Sequence, residues 1–215
     1  MDDPTAEGYF ASRLSLNPRR AVLWATLCSS VFQRYVPPLG SVVELGAARG
    51  DFINNIRAGR RIAVDVWPGL TEHVAPGVEA HVRSATDLGF LDANSVDVVF
   101  ASNLVEHLQK DEVRAMLKEV DRVLRSGGRL ILVQPNYRTS YKRYFDDYTH
   151  VSVWSDVSLG DFLSAEGFKV ERLESRFLPL TVNSRIPVHP WLIRLYLASP
   201  VKPLAGQMLV VARIV

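Results

Sequence analysis

Short apolar runs and amphipathic stretches alternate along this chain, and the alternation predicts strands and helices in turn. Val42-Val43-Glu44-Leu45 enters a glycine turn, Gly46-Ala47-Ala48-Arg49-Gly50, after which Phe52, Ile53 and Ile56 carry an amphipathic spacing. That order predicts strand, tight loop and helix. Further strands are expected near 61 to 65, 78 to 82, 95 to 101 and 129 to 134. Before the last of these, Val113, Met116, Leu117, Val120 and Leu124 form one helical stripe, closed by Gly127-Gly128. Upstream, Asn17-Pro18 predicts an N-cap with proline at the first helical position, opening a helix that runs to about Tyr35 and covers the sheet edge. Pro37-Pro38-Leu39-Gly40 ends it. Residues 155 to 166 predict another helix, stopped by Gly167, and 168 to 172 and 207 to 214 predict two more strands. The whole reads as an α/β fold around a mostly parallel sheet.

The first loop and Asp65 carry the chemistry. A backbone that passes close to a ligand tolerates no Cβ at its contact points, and Gly46 and Gly50 have none. Asp65 ends the second strand, on the side of an open α/β sheet where ligands bind, and a carboxylate there can accept hydrogen bonds from both hydroxyls of a ribose. A nucleoside-cofactor pocket is therefore expected.

With 215 residues, 47% of them hydrophobic and 22% charged, the composition is that of one ordinary globular domain. The net charge of +2 is spread along the chain, which argues against nucleic acid and favours a small-molecule or glycan acceptor. The single cysteine, Cys28, lies in an apolar helical stretch and fits a buried thiol in a reducing compartment. The acidic N-terminus offers no targeting signal, and no apolar run approaches the roughly 18 to 20 residues of a membrane span, so a cytoplasmic location is expected.

In this order of elements, residues 40 to 175 resemble the class I S-adenosylmethionine-dependent methyltransferases, in particular bacterial members of the type 11-like group. Glu44-Leu45-Gly46-Ala47-Ala48-Arg49-Gly50 resembles the family's acidic-x-Gly-x-Gly-x-Gly loop, with Ala48 in place of the middle glycine. Asp65 matches the ribose acid, and Ser84-Ala85-Thr86-Asp87-Leu88 stands where the family commonly has Gly-Asp-Ala, with Ser84 in the aspartate's place. The segment 97 to 108, which contains Glu106-His107, matches the fourth-strand motif, and 124 to 130 the turn into strand five. The resemblance implies a Rossmann-like, seven-stranded sheet with helices on both faces and an antiparallel C-terminal strand pair, residues 174 to 206 being inserted between its members. It divides the domain into an N-terminal helical cap (1–40), a cofactor-binding core (41–136) and an acceptor region (137–215). S-adenosylmethionine is the implied cofactor, held by Glu44, Gly46, Ala47, Ala48, Gly50, Asp65, Val66, Ser84, Ala85 and Asn103. The product would be S-adenosylhomocysteine. The N-terminal helix, Phe100-Ala101-Ser102-Asn103, Gln134-Pro135-Asn136 and the loop from Tyr144 to Trp154 resemble members associated with polysaccharide or glycolipid assembly.

Methyl transfer is an in-line displacement, so the protein's main task is to aim a nucleophile. A hydroxyl acceptor must lose its proton as the bond forms, and a base is then expected. His150 is the first candidate, in the loop after strand five with a nearby carboxylate to orient it; His107, after strand four, is the second. Each has a structural reading beside it, as a capping histidine and as a partner of Glu106 respectively. Tyr137, Tyr141, Tyr144 and Asp147 are candidate acceptor-binding residues. No metal ligands are assigned. Trp191, Leu192, Leu195 and Tyr196, with Arg185, Arg194 and Lys202 nearby, form a stripe suited to peripheral membrane contact, a lid or a homodimer interface. The expected activity is methylation of a small-molecule or saccharide hydroxyl, on an acceptor that can be lipid- or nucleotide-linked. The alternative is a non-catalytic cofactor-binding subunit serving a partner enzyme. A nicotinamide-dependent oxidoreductase ranks last, because the loop lacks Gly-x-Gly-x-x-Gly.

Overall fold

The computed structural model describes residues 17–180 and 188–214. Seven strands, β1 (Ser41–Leu45), β2 (Arg60–Asp65), β3 (Val78–Val82), β4 (Val96–Ser102), β5 (Leu124–Pro135), β6 (Phe168–Pro179) and β7 (Ala205–Ile214), form one sheet in the order β3-β2-β1-β4-β5-β7-β6. The first five are parallel, and β7 lies antiparallel between β5 and β6. This is the mostly parallel sheet with an antiparallel C-terminal pair that the sequence predicts. Among the described residues there are six α-helices: α1 (Pro18–Leu27), α2 (Leu70–His73), α3 (Lys110–Val123), α4 (Tyr137–Ser140), α5 (Asp156–Ala165) and α6 (Pro190–Ala198).

The central strands are buried on both faces, which is why they read as continuous apolar runs. Alternate residues feed two separate cores. Val43, Leu45, Val99, Ala101, Leu130, Leu132 and Val210 point toward the stripes of α3 and α5. Val42, Val98, Phe100, Ile131, Val133, Leu209 and Val211 point toward α1, the π-helical turn Cys28–Phe32 that continues it, and Phe52 and Phe177. Phe32 sits at the centre of the second core, with its ring centroid 5.1 Å from that of Phe100, 5.7 Å from Phe52 and 6.2 Å from Phe177.

Several boundaries differ from expectation. Asn17 does cap α1, its Oδ1 accepting from the Arg19 N–H at 3.0 Å, but the helix covers the middle of the sheet rather than its edge, because Trp24 and Phe32 reach Phe100 of the central strand β4. The predicted helix after Gly50 is a series of turns. Its hydrogen bonds mix Asn54 N–H to Gly50 C=O with Asn55 N–H to Phe52 C=O, while the Ile53 N–H is taken by the Glu44 carboxylate. α3 ends at Val123 instead of running to the glycines, and the chain passes directly into β5 at Leu124. There Gly128 is packed so closely that a Cβ would lie 2.8 Å from the Arg125 carbonyl oxygen. β6 continues to Pro179 through bulges against β7, so the expected insertion begins within the strand. Of that insertion, Arg185, Ile186 and Pro187 lie outside the described residues.

Phe32→Ala should lower the unfolding free energy by about 3–5 kcal/mol, since the cavity opens among rings that cannot collapse onto it. Leu39→Ala, at a fully exposed position, should change it by less than about 0.5 kcal/mol; urea denaturation followed by circular dichroism checks both.

Candidate active site

The loop after β1 is built from three left-handed residues in alternation. Gly46, Ala48 and Gly50 have φ of 67°, 46° and 71°. Only at Ala48 does a side chain bear that conformation, at a cost of about 1 kcal/mol. The loop is held by its neighbour strand: Gly46 and Ala47 N–H groups donate to the Val64 carbonyl at 2.9 and 3.1 Å. The Ala48 N–H donates to Asp65 Oδ2 at 2.7 Å, and Asp65 Oδ1 accepts from the Trp67 N–H at 2.8 Å. Burial pushes the Asp65 carboxyl up, and these N–H donors oppose the shift. Each oxygen retains acceptor capacity for a further donor.

Beneath the loop, Glu44 is buried with Oε2 accepting from the Ile53 N–H at 2.9 Å. Burial raises its pKa well above the usual carboxylate range, and the Asp51 and Asp65 carboxylates add to the shift. A Cβ at Gly46 would stand a tight 3.0 Å from Leu104 Cδ1, so the chain leaving β4 packs against the loop. Ala47 and Ala85 are buried, whereas Val66 is 64% exposed beside Asp65 and presents an apolar surface at the strand end. The Ser84 hydroxyl lies 2.8 Å from that of Thr86 and accepts from the Thr86 N–H at 3.2 Å.

Asn103 is also left-handed, with φ of 49°. Its Oδ1 accepts from Gln207 Nε2 at 2.7 Å, and Gln134 Oε1 takes the following Leu104 N–H at 3.1 Å. The sequence reading assigned no role to Gln134 or Gln207, although each is a polar residue at the end of an otherwise apolar strand run. Together they fix the turn that directs residues 103 to 107 across the sheet's carboxyl end.

That turn meets the loop of residues 147–154. Val151 and Ser152 N–H groups donate to the Glu106 carbonyl at 2.9 and 3.1 Å, and the Trp154 indole donates to the Val105 carbonyl at 3.1 Å. The stitching sets the His107 and His150 rings 4.9 Å apart, edge to face. His107 Nδ1 faces the Thr149 carbonyl at 3.3 Å and its hydroxyl at 2.9 Å, and that hydroxyl donates to Asp147 Oδ1 at 2.6 Å. A carbonyl only accepts, so Nδ1 carries the proton and Nε2 the lone pair. Burial holds the His107 pKa below its usual value, and His150 adds to the depression. Nε2 lies 3.9 Å from Oε1 of Glu106. Glu106 is 1% exposed, neither of its carboxylate oxygens has a hydrogen-bond partner, and burial, with Asp147 adding, pushes its pKa up to about 8.

Of the expected acceptor residues, Tyr144 is buried under His150, its hydroxyl donating to the Ser152 carbonyl at 2.8 Å and accepting from the Trp154 N–H at 3.3 Å. Tyr137 is half-buried against Tyr144, and Tyr141 is exposed. Asp147 positions Thr149, and through it His107.

Residues 43–132 match the family model of the methyltransferase domain. That stretch is similar to a methyltransferase domain. No curated protein matches the sequence. Among solved structures, a SAM-dependent methyltransferase from Archaeoglobus fulgidus is 19% identical with a TM-score of 0.69, the match covering 98% of this chain and 99% of that one. A methyltransferase from Haloferax volcanii, solved with the Trm112 methyltransferase activator, is 16% identical with a TM-score of 0.68, over 98% of this chain and 94% of that one. Geranyl diphosphate C-methyltransferase from Streptomyces coelicolor A3(2) is 14% identical with a TM-score of 0.63, over 100% and 88%. The fold is thus that of the SAM-dependent methyltransferases, and the loop, Asp65 and the β4 exit lie in its matched core.

Ala48→Gly should relieve the left-handed strain and, after the entropy glycine adds to the unfolded chain, stabilise by up to about 1 kcal/mol. Ala48→Val, which forces a β-branched residue into that conformation, should destabilise by more than about 1 kcal/mol. Chemical denaturation midpoints distinguish the pair.

Proposed function

We propose that this chain transfers a methyl group from S-adenosylmethionine to a hydroxyl of a small-molecule or saccharide acceptor. The observation that carries the reading is that a left-handed loop clamped by Asp65 and the His107–His150 pair both leave the carboxyl end of the sheet, after the neighbouring strands β1 and β4 and the loop following β5. Gly46, Ala47, Ala48 and Gly50 form the backbone cradle, Asp65 accepts from the ribose hydroxyls, and Val66 and Ala85 flank the adenine with Ser84. Asn103 lies toward the methionine end, and Glu44 supports the loop from below. The cofactor supplies an electrophilic methyl on a sulfonium centre, whatever the acceptor. The chain's own residues must orient the acceptor and take its proton, and the histidine pair is the group placed to do so. His150 and His107 are the candidate bases, and Asp147 orients His107 through Thr149.

Acceptor recognition falls to the loop after β5. Tyr137 and Tyr141 present ring faces on which a sugar can stack. Exposed Trp191 and Leu195 on α6, beside Arg194, suit a lipid-linked acceptor or a membrane surface. Among the described residues no helix is long and apolar enough to cross a membrane. A second reading, a cofactor-binding subunit that serves a partner enzyme, is favoured by Ser84, whose hydroxyl is already engaged by Thr86.

Asp65→Ala should weaken S-adenosylmethionine binding by roughly 10- to 100-fold, the worth of hydrogen bonds to a charged group, with the fold intact. Calorimetric titration measures it, and unchanged affinity overturns the ribose assignment. His150→Ala should keep cofactor affinity and lose about 100-fold or more in turnover, scored as S-adenosylhomocysteine formed with nucleotide- and lipid-linked sugars. Near-normal turnover would assign His150 to loop structure alone.

A further inference from the structure

We propose that Glu106, His107 and His150 form a binding site for a first-row divalent metal ion of the zinc type. Each offers one ligand atom, and the three atoms lie within 4.8 Å of one another. Two imidazoles and a carboxylate are the donor set of open zinc sites, which leave a fourth position for water or substrate. Sequence spacing does not reveal it, because Glu106 and His107 adjoin on the turn after β4 while His150 comes from the loop after β5.

Two further features support a ligand set over a packing cluster. Glu106 is fully buried, and both of its carboxylate oxygens lack a hydrogen-bond partner, so a costly acceptor is placed where a cation would satisfy it. His107 is prepared as ligating histidines are: its Nδ1–H is committed to the Thr149 carbonyl and to the Thr149–Asp147 relay, which fixes the tautomer and directs the Nε2 lone pair toward Glu106. The Val151 and Ser152 bonds to the Glu106 carbonyl hold the two halves together from the backbone. With metal–nitrogen distances near 2.0–2.1 Å, tetrahedral ligand atoms stand about 3.3 Å apart, so the ligand atoms must converge by up to about 1.5 Å on binding. A cation here would acidify a coordinated hydroxyl in place of proton uptake by a histidine, whose lone pair the metal would occupy; that role rests on the proposed O-methylation, and metal binding itself does not.

The test uses the full chain, stripped with chelator and titrated with Co²⁺ and then Zn²⁺ in the absence of cofactor and acceptor. Expected are one bound Co²⁺ per chain, with the intense visible absorption of a low-symmetry site, and its displacement by Zn²⁺. Glu106→Gln, nearly isosteric, and His150→Ala should each weaken binding at least 10-fold, whereas His189→Ala, on the exposed start of α6, should leave it unchanged. Failure of the folded wild-type chain to bind either ion at micromolar concentration overturns the proposal, as does binding that survives both cluster variants. Since the readout needs no methyl transfer, a negative result leaves the cofactor and acceptor assignments standing.

Discussion

The site depends on one carboxylate. Asp65, at the end of β2, accepts the Ala48 and Trp67 N–H groups and so binds the loop of β1 to its neighbouring strand. Without that anchor, the loop would keep its Gly46 and Ala47 bonds to the Val64 carbonyl but lose the one at Ala48. The same group would face the ribose, so loop rigidity and ligand recognition draw on the lone pairs of a single buried side chain. Burial works against its ionisation while the backbone donors favour it.

The doubly buried sheet makes this geometry stable. Because successive residues of β1, β4, β5 and β7 serve opposite cores, a slip of one residue would exchange the two sets of side chains. The carboxyl ends of β1 and β4 are therefore held in register, and Leu104 packs so closely on Gly46 that a Cβ there would stand 3.0 Å from its Cδ1. The loop and the histidine turn are two exits from one rigid layer.

Polar groups at the carboxyl end divide into those used by the protein and those available for chemistry. Gln134, Gln207, Asn136, Trp154 and Tyr144 are occupied in shaping the turns, with their donors and acceptors matched inside the chain. Glu106 is not matched, and the lone pair on His107 Nε2 faces it. A buried carboxyl in this condition costs stability, and this one lies beside the histidine pair.

The strands, the α3 stripe, the N-cap at Asn17 and the loop from Gly46 to Gly50 were legible in the sequence because they are local. Periodicity, capping and glycine act over a few residues. The turns that replaced the helix after Gly50, the early end of α3 and the position of α1 over the sheet centre were not. They follow from a buried Glu44 taking the Ile53 N–H, from the packing at Gly128, and from aromatic rings meeting across distant segments. The same limit applied to the site. Asp65 announced itself by ending an apolar run, whereas the meeting of Glu106 and His107 with His150 depends on two loops stitched by backbone hydrogen bonds. Sequence determined which residues could do chemistry, through their side chains and local backbone. Only the tertiary structure decided which of them meet, because contact between segments some forty residues apart is set by the sheet and its cores.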